Sequence, residues 1–330
     1  MLRLSIQHAG GKLMIRERLK HKGAVTGAIA ALALFFSAGT LAADEVTASN
    51  TATFVGEEVC ASCHETEKKN FGHTLHAKVF RQAPKNQLEK QVCEACHGPG
   101  SLHATDPTDR SKLIGFTKNW GTPQSEQNAK CLTCHEGGNR MNWPGSIHQT
   151  KKLACSDCHN PMAKFSASGL LKKPSITETC QTCHQQQRAE FRKKSHMPVP
   201  EGKMTCEDCH NPHGSTAPRL LKADTVNDLC YTCHAEKRGP FLWEHAPVRE
   251  SCLNCHLPHG SNNDKLLKQS RPMLCVSCHT FAGGGMGQTF RHPENTGTGG
   301  SVTQIRGRSC QNCHAQIHGS NSPDGARFRR

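Results

Sequence analysis

The sequence predicts a mostly irregular fold of short α-helices with little or no β-sheet, and two observations predict it. Apolar residues make up 35% of the 330 residues and aromatic residues only 5%. That is too little apolar surface for a conventional core in a chain of this length. The second observation is a five-residue motif that contains every cysteine and recurs along the chain.

The motif is Cys-x-x-Cys-His, and its ten copies account for all 20 cysteines. This spacing is typical of covalent attachment of a c-type haem: the thiols bond to the porphyrin and the adjacent histidine binds the iron. Zinc sites and disulfides also use cysteines, but neither requires a histidine after every second cysteine. We therefore predict ten covalently bound haem c groups. The attachment residues are Cys60, Cys63, Cys93, Cys96, Cys131, Cys134, Cys155, Cys158, Cys180, Cys183, Cys206, Cys209, Cys230, Cys233, Cys252, Cys255, Cys275, Cys278, Cys310 and Cys313, and the proximal iron ligands are His64, His97, His135, His159, His184, His210, His234, His256, His279 and His314.

Residues 1–43 are predicted to be a cleaved signal peptide. Six Lys or Arg precede residue 23, residues 24–38 are apolar, and small residues follow up to Ala43. The apolar stretch is shorter than the roughly 20 residues that a membrane-spanning helix needs, which favours cleavage over an uncleaved anchor. Met14 is an alternative start to Met1. We expect the mature chain in the periplasm.

Residues 44–330 are then expected to form one elongated domain in which the haems supply most of the core. The polypeptide wraps them with about 29 residues per haem, and the apoprotein should be largely unfolded. An alternative division gives two five-haem halves, 44–200 and 201–330. The formal charge of +14 falls to +9 without the leader, which holds six basic residues and one acidic residue. Because haem propionates neutralise the remaining excess, nucleic-acid binding is not expected.

The chain has 22 histidines, of which ten are proximal ligands and two, His8 and His21, lie in the leader. As many histidines remain as there are haems, which indicates a second histidine on each iron. These candidate distal ligands are His73, His76, His103, His148, His196, His213, His245, His259, His292 and His318.

The spacing of these histidines alternates along the chain. After the first, third, fifth, seventh and ninth motifs, a histidine follows the proximal ligand by 11 to 13 residues, and we call it a far histidine. After most even-numbered motifs a histidine follows by three to six residues, and we call it a near histidine. The chain therefore reads as five repeats of a two-haem unit. A histidine so close to its own proximal ligand cannot easily reach the opposite face of the same haem, so we expect it to bind a neighbouring one.

The fourth motif breaks the pattern. Met162 follows His159 at the distance at which His213 follows His210. The first repeat has two candidates, His73 and His76, of which the spacing favours His76. Either His73 completes the remaining haem, or Met162 does so and gives one His/Met haem of higher potential; Met162 could also serve packing alone. We expect this haem to be the one attached at residues 155–158.

Several stretches resemble a known family. Cys-Glu-Asp-Cys-His-Asn-Pro-His-Gly-Ser at 206–215, Cys-Tyr-Thr-Cys-His-Ala-Glu-Lys-Arg-Gly-Pro at 230–240, Trp-Glu-His-Ala-Pro at 243–247 and Gly-Arg-Ser-Cys-Gln-Asn-Cys-His at 307–314 are similar to periplasmic decahaem cytochromes of the MtrA/DmsE type. The resemblance implies bis-histidine haems in an elongated wire, which conducts electrons through an outer-membrane β-barrel porin. It also implies an outer-surface multihaem cytochrome and periplasmic or inner-membrane cytochromes as redox partners. Met162 departs from the family pattern.

Two other functions stay open at this stage. A multihaem oxidoreductase needs one haem with a vacant iron position, and only the haem beside Met162 and His73 offers one. A soluble periplasmic electron carrier would need no porin. The regular motifs favour electron transfer without catalysis.

Overall fold

The structure is a computed structural model and describes residues 51–279 and 309–329. The predicted signal peptide and His292 lie outside these residues. Within them the chain forms short helices joined by loops and contains no β-sheet, which confirms the predicted fold class. The α-helices are α1 (Glu57–Ala61), α2 (Glu65–Gly72), α3 (Leu75–Gln82), α4 (Glu94–His97), α5 (Ser101–Thr105), α6 (Gln124–Leu132), α7 (Ile147–Thr150), α8 (Cys155–Cys158), α9 (Ile176–Gln181), α10 (Gln185–Glu190), α11 (Val226–Tyr231), α12 (Ala246–Glu250) and α13 (Arg271–Val276).

Single turns of 3-10 helix occur between and after these helices. They comprise Glu89–Gln91, Arg110–Lys112, Lys118–Trp120, Gly138–Arg140, Cys206–Asp208, Pro218–Leu220, Ala235–Lys237, Cys252–Asn254, Asp264–Leu266, Cys310–Asn312 and Gly325–Arg327. The longest helix, α6, has nine residues. No helix of the described ranges is long and apolar enough to cross a membrane.

Local sequence explains why the short helices begin where they do. The Ser175 hydroxyl accepts the backbone N–H of Glu178 at the start of α9, and the Thr225 hydroxyl accepts that of Asp228 at the start of α11. Each hydroxyl satisfies a backbone donor that the helix itself leaves without a partner. These caps define helices of only six residues, each ending one residue after the first cysteine of a motif.

The apolar core of the polypeptide is small. In residues 51–279 and 309–329, the buried apolar side chains are Phe71, Ala77, Val92, Ala95, Trp143, Ala154, Phe191, Val199 and Leu267. They are spread along the chain, and one cluster joins Phe71, Ala77 and Val92, with Phe80, Cys93 and Met162 packed against it. So little buried apolar surface supports the expectation that haems supply most of the core.

A buried carboxylate fixes the first described residues to the second motif. Glu94 is only 2% exposed, and its carboxylate accepts the backbone N–H groups of Val55 (3.0 Å), Gly56 (2.8 Å) and Gly100 (2.7 Å). Because a buried charge needs hydrogen-bond partners, these three donors make the burial tolerable. Glu94 thereby connects the chain on both sides of the motif.

Candidate haem-binding sites

All ten motifs adopt the same local structure. In each, the backbone N–H of the histidine donates to the carbonyl of the first cysteine, at 2.9 to 3.1 Å. This bond closes one helical turn, and side chains three and four positions apart lie on the same face of such a turn. Both thiols and the proximal imidazole therefore share one face, as attachment to a single haem requires.

Odd-numbered and even-numbered motifs lie at opposite ends of helices. In odd-numbered motifs the first cysteine lies in the last turn of a helix: Cys60 in α1, Cys131 in α6, Cys180 in α9, Cys230 in α11 and Cys275 in α13. In even-numbered motifs it begins a helical turn or immediately precedes one: Cys93, Cys155, Cys206, Cys252 and Cys310. The alternation predicted from histidine spacing thus has a counterpart in the backbone.

The thiols connect consecutive motifs in order. Within each two-motif unit the first cysteines of both motifs lie close enough for one thiol to change the pKa of the other. The pairs are Cys60 with Cys93, Cys131 with Cys155, Cys180 with Cys206, Cys230 with Cys252 and Cys275 with Cys310. Burial raises the pKa of the Cys93 thiol to about 12, and Cys60 adds to the rise.

Between units the second cysteines are neighbours. They lie close enough for the negative charge of one thiolate to raise the pKa of the other, after the larger effect of burial. The pairs are Cys96 with Cys134, Cys158 with Cys183, Cys209 with Cys233 and Cys255 with Cys278. Every motif is therefore linked to the next one, without interruption, by alternating contacts of first and second cysteines.

Seven proximal histidines face a second histidine. Their ring centres are separated by 5.8 to 6.4 Å. The pairs are His64 with His103, His135 with His76, His184 with His148, His159 with His213, His210 with His259, His279 with His245 and His256 with His318.

This separation fits two imidazoles bound to opposite sides of one iron. A metal–imidazole bond is about 2 Å long and the ring centre lies about 1 Å behind the nitrogen, so the two centres should be about 6 Å apart. The Nε2 atoms of His76 and His135 face each other at 3.5 Å, close to the roughly 4 Å that two such bonds require. The residues present therefore fit a haem with two histidine ligands.

The facing pairs follow a regular step along the chain. Apart from His103, which faces the first motif, each near histidine faces the proximal ligand of the preceding even-numbered motif: His213, His259 and His318 face His159, His210 and His256. Three far histidines face the next odd-numbered motif: His76, His148 and His245. None of these histidines faces its own proximal ligand, as expected for the near ones.

The structure corrects one expectation. We expected Met162 or His73 beside the haem attached at residues 155–158, but His213 faces His159 there, with ring centres 6.0 Å apart and ring planes within 14°. The physical reason is the tight turn after each even-numbered motif. It directs the residue three positions after a proximal histidine towards the preceding even-numbered motif.

Burial lowers the pKa of several candidate distal histidines. Burial first, and then the positive charge of a protonated His159, lower the pKa of His213 to about 4. Burial is also the main cause of the lowered pKa of His76, His245 and His318. At neutral pH these imidazoles are uncharged, which is the form that binds a metal.

Every even-numbered proximal histidine also has a fixed orientation, which sequence reasoning missed. Its Nδ1 donates to a backbone carbonyl: His97 to Ile114 (2.8 Å), His159 to Gly169 (2.6 Å), His210 to Arg219 (2.9 Å), His256 to Lys265 (2.9 Å) and His314 to Arg327 (2.5 Å). The bond leaves Nε2 as the iron-binding nitrogen and increases its basicity. In three cases the carbonyl comes from the residue before a recurring Leu-Leu-Lys stretch, so that repeat was the available signal.

Three proximal histidines, His97, His234 and His314, do not face a histidine at this distance within the described ranges. The ring of His97 makes an edge contact with Phe116 at 5.2 Å. His196 donates from Nε2 to Glu201 (2.9 Å), and this bond and a second one to the Lys193 carbonyl raise its pKa. The roles of His196, His73 and Met162 as ligands therefore stay predictions, as does that of His292.

Known families match most of the described motifs. The doubled CXXCH motif matches residues 148–189, 196–239 and 245–283, and the NrfB-like c-type cytochrome family matches residues 93–168. The geometry and these matches define a multihaem c-type cytochrome, a class of proteins that transfers electrons through covalently attached haem c.

The chain belongs to the MtrA family of multihaem cytochromes. It is 40% identical to the multiheme cytochrome MtrA of Shewanella baltica (strain OS185) over 280 residues, which cover 83% of this chain and 81% of the relative. It is 25% identical to the c-type cytochrome NrfB of Haemophilus influenzae over 40% of this chain and 66% of the relative. A third relative, the polyheme cytochrome OmcC of Geobacter sulfurreducens, is 25% identical over 46% of this chain and 23% of its own length.

Proposed function

We propose that this chain carries ten haem c groups and conducts electrons along them across the outer membrane, inside a β-barrel porin. The observation that supports this proposal is the uninterrupted order of cysteine neighbours from the first motif to the tenth. Each attachment site has a neighbour before and after it along the chain, as a continuous electron path requires. A protein that only stored electrons would not need this order.

Haem c with two strong axial ligands exchanges one electron with little structural change. The chain contributes the parts that set its properties. The closed turn of each motif orients the thiols and the proximal imidazole, and facing histidines fill the sixth position of at least seven irons in this proposal. The Nδ1 bonds to backbone carbonyls increase ligand basicity and favour the oxidised form at even-numbered sites.

Membership of the MtrA family supports the location and the partners. We infer export to the periplasm by the predicted signal peptide and association with an outer-membrane porin. An outer-surface multihaem cytochrome would exchange electrons at one end, and periplasmic or inner-membrane cytochromes at the other. The process would be extracellular electron transfer, in metal reduction or in Fe(II) oxidation.

Two measurements test this proposal. Intact mass and iron content of the purified holoprotein should give ten haems per chain. A tagged holoprotein should co-purify a porin from outer membranes. When that complex is placed in liposomes, an external reductant should reduce an acceptor enclosed inside. Liposomes with the porin alone are the control, and equal rates in both would contradict the conduit.

The alternative of an enzyme with one open haem depends on the proximal histidines that face no second histidine among the described residues, which are His97, His234 and His314. An open site predicts one high-spin ferric haem per chain by electron paramagnetic resonance and turnover of a small substrate such as nitrite. Ten low-spin haems without turnover would exclude the enzyme and leave the conduit.

A further inference from the structure

The segment that contains Met162 has the same backbone structure as two segments that supply facing histidines. In each segment a backbone N–H donates to the backbone carbonyl of the first leucine in a Leu-Leu-Lys stretch, at 2.6 to 2.7 Å. The donors are Asn160, Asn211 and Leu257. The next residue but one after each is Met162, His213 and His259, respectively. Met162 is therefore the structural equivalent of two near histidines, in a turn of the same geometry.

The equivalent histidines show which haem this position serves. His213, His259 and His318 face the proximal ligands of the preceding even-numbered motifs. The fourth motif holds Met162, so the same step leads to the second motif and its proximal ligand His97. His97 is also an even-numbered proximal ligand that no histidine of the described ranges faces.

Packing places Met162 beside the second motif. Its side chain packs against the cluster of Phe71, Ala77 and Val92, together with Cys93, which is the first attachment residue of that motif. Val92 directly precedes Cys93, so Met162 and the second motif share one apolar cluster.

A second contact shows the same register. A Cβ at Gly214 would lie 1.9 Å from the carbonyl oxygen of Asn142, which is six residues before a far histidine. The equivalent position before His76 is Asn70, and Asn70 lines an open cavity of about 310 Å³ with Ala163 and His73. Residue 163 thus opposes residue 70 as residue 214 opposes residue 142. Because Ala163 carries the Cβ that glycine lacks, the close approach cannot form and a cavity remains.

The looser contact affects His76 as well. In two other units the Nδ1 of the far histidine donates to the carbonyl just before the near histidine: His148 to Pro212 (2.7 Å) and His245 to Ile317 (3.1 Å). The Nδ1 of His76 is buried without a hydrogen-bond partner. The unit that contains Met162 therefore keeps the register of the others while its backbone stands further away, which leaves room for the longer methionine side chain.

We propose that the sulfur of Met162 is the sixth ligand of the haem attached at Cys93 and Cys96, opposite His97. This inference rests on the proposed ten-haem chain. His73 is the competing ligand, but its side chain is exposed and lines the cavity, whereas Met162 packs against the same apolar cluster as Cys93. A thioether stabilises ferrous iron better than an imidazole does, so the second haem becomes the one of highest potential.

Near-infrared absorption and magnetic circular dichroism of the oxidised full-length holoprotein test the assignment. One sulfur-to-iron charge-transfer band per ten haems is expected in the unmodified chain. Met162→Leu should abolish the band, and Met162→His should abolish it while preserving a low-spin haem and removing the step of highest potential. Met141→Leu, a change at an exposed methionine, and His73→Gln should leave the band intact.

Absence of the band from a holoprotein with ten haems by mass would overturn the assignment, and so would its loss in His73→Gln but not in Met162→Leu. To distinguish the second haem from the fourth, His213→Gln should retain the band and create one high-spin haem. Retention of the band without a new high-spin haem would mean that Met162 serves the fourth haem. These measurements do not depend on porin binding or liposome transfer, so they test the ligand of the second haem even if the conduit proposal fails.

Discussion

The motif at residues 93–97 and the motif at residues 206–210 share their proximal half and differ in their distal half. In both, the proximal Nδ1 donates to a carbonyl, from His97 to Ile114 at 2.8 Å and from His210 to Arg219 at 2.9 Å. The chain closes this bond over 17 residues in the first case and nine in the second. Within residues 51–279 and 309–329, a histidine faces His210 but none faces His97.

This difference separates what the motif determines from what the fold determines. The turn that carries both thiols and the proximal imidazole follows from five consecutive residues, so every copy reproduces it. The distal half is supplied by a segment two motifs away and depends on packing between units. Its ligand can therefore change without disturbing haem attachment.

The largest expected difference between the two motifs concerns their acidic residues. Glu94→Ala removes a buried carboxylate and leaves three backbone N–H donors without an acceptor, so the holoprotein should lose about 3 kcal/mol or more of stability. Asp208→Ala removes an exposed acceptor of the Thr205 N–H and should cost about 1 kcal/mol. Urea unfolding at equal haem content measures both, and equal shifts would show that burial of Glu94 has no special importance.

Adding a methyl group at residue 214 and removing one at residue 163 should change the stability of the holoprotein by different amounts. Gly214 has φ +115° and opposes the Asn142 carbonyl, so Gly214→Ala should destabilise the holoprotein by about 2 kcal/mol or more. Ala163→Gly, at the equivalent position beside the cavity, should cost about 1 kcal/mol or less. Thermal unfolding of the two variants tests the register. A tolerated Gly214→Ala would argue against the close contact.

A smaller effect is expected at the distal histidine of the sixth motif. The Glu190 carboxylate lies 3.4 Å from the Nδ1 of His259, and its negative charge should lower the potential of that haem. Glu190→Gln should raise the potential by roughly 40 mV, equivalent to about 1 kcal/mol for one electron. Potentiometric titration with Glu178→Gln, an exposed change, as the control measures it. The second haem has no such carboxylate if Met162 is its ligand, so its potential should not move.

The smallest effect concerns the long loop that supplies the Ile114 carbonyl. Hydrogen bonds from the Thr108 hydroxyl and then from Lys112 lower the pKa of Asp106 to about 2. A pKa below the unfolded value of about 3.9 stabilises the fold above that value, and this contribution disappears as the pH falls towards 2. Asp106→Asn should therefore reduce stability at pH 5 slightly and change little at pH 2. Acid titration followed by circular dichroism, with Asp224→Asn as the charge control, tests this, and a larger effect at pH 2 than at pH 5 would contradict it.

The sequence was sufficient for everything that a single motif encodes. Cysteines, proximal histidines and the alternation of near and far histidines were all readable, as was the lack of β-sheet, because each depends on local spacing and composition. The facing pairs were not readable, since all except His64 with His103 join residues two motifs apart and the step between them is set by packing. For the same reason we expected Met162 beside its own motif, although the structure places His213 there.

Some distal information was nevertheless present in the sequence. Glycine follows His213, His259 and His318, the near histidines that face the preceding even-numbered motif, whereas alanine follows Met162 and also His103, which faces the first motif. A recurring glycine indicates close approach of another backbone, so its replacement at residue 163 marked the one unit that packs differently. For three carbonyl partners of the proximal histidines the recurring Leu-Leu-Lys stretch was a signal, whereas the partners of His97 and His314 depend on how each loop returns.

The alternation of first-cysteine and second-cysteine contacts restricts how such a chain can change length. A new motif can join only if its free cysteine matches the kind presented by the last one, and its distal ligand must come from two positions further along. Insertion or loss of a single motif would join unlike contacts and shift every later ligand onto the wrong iron. Whole pairs can be added or removed without this penalty. Relatives that gained or lost motifs inside the chain should therefore differ there by even numbers of haems wherever they retain this packing.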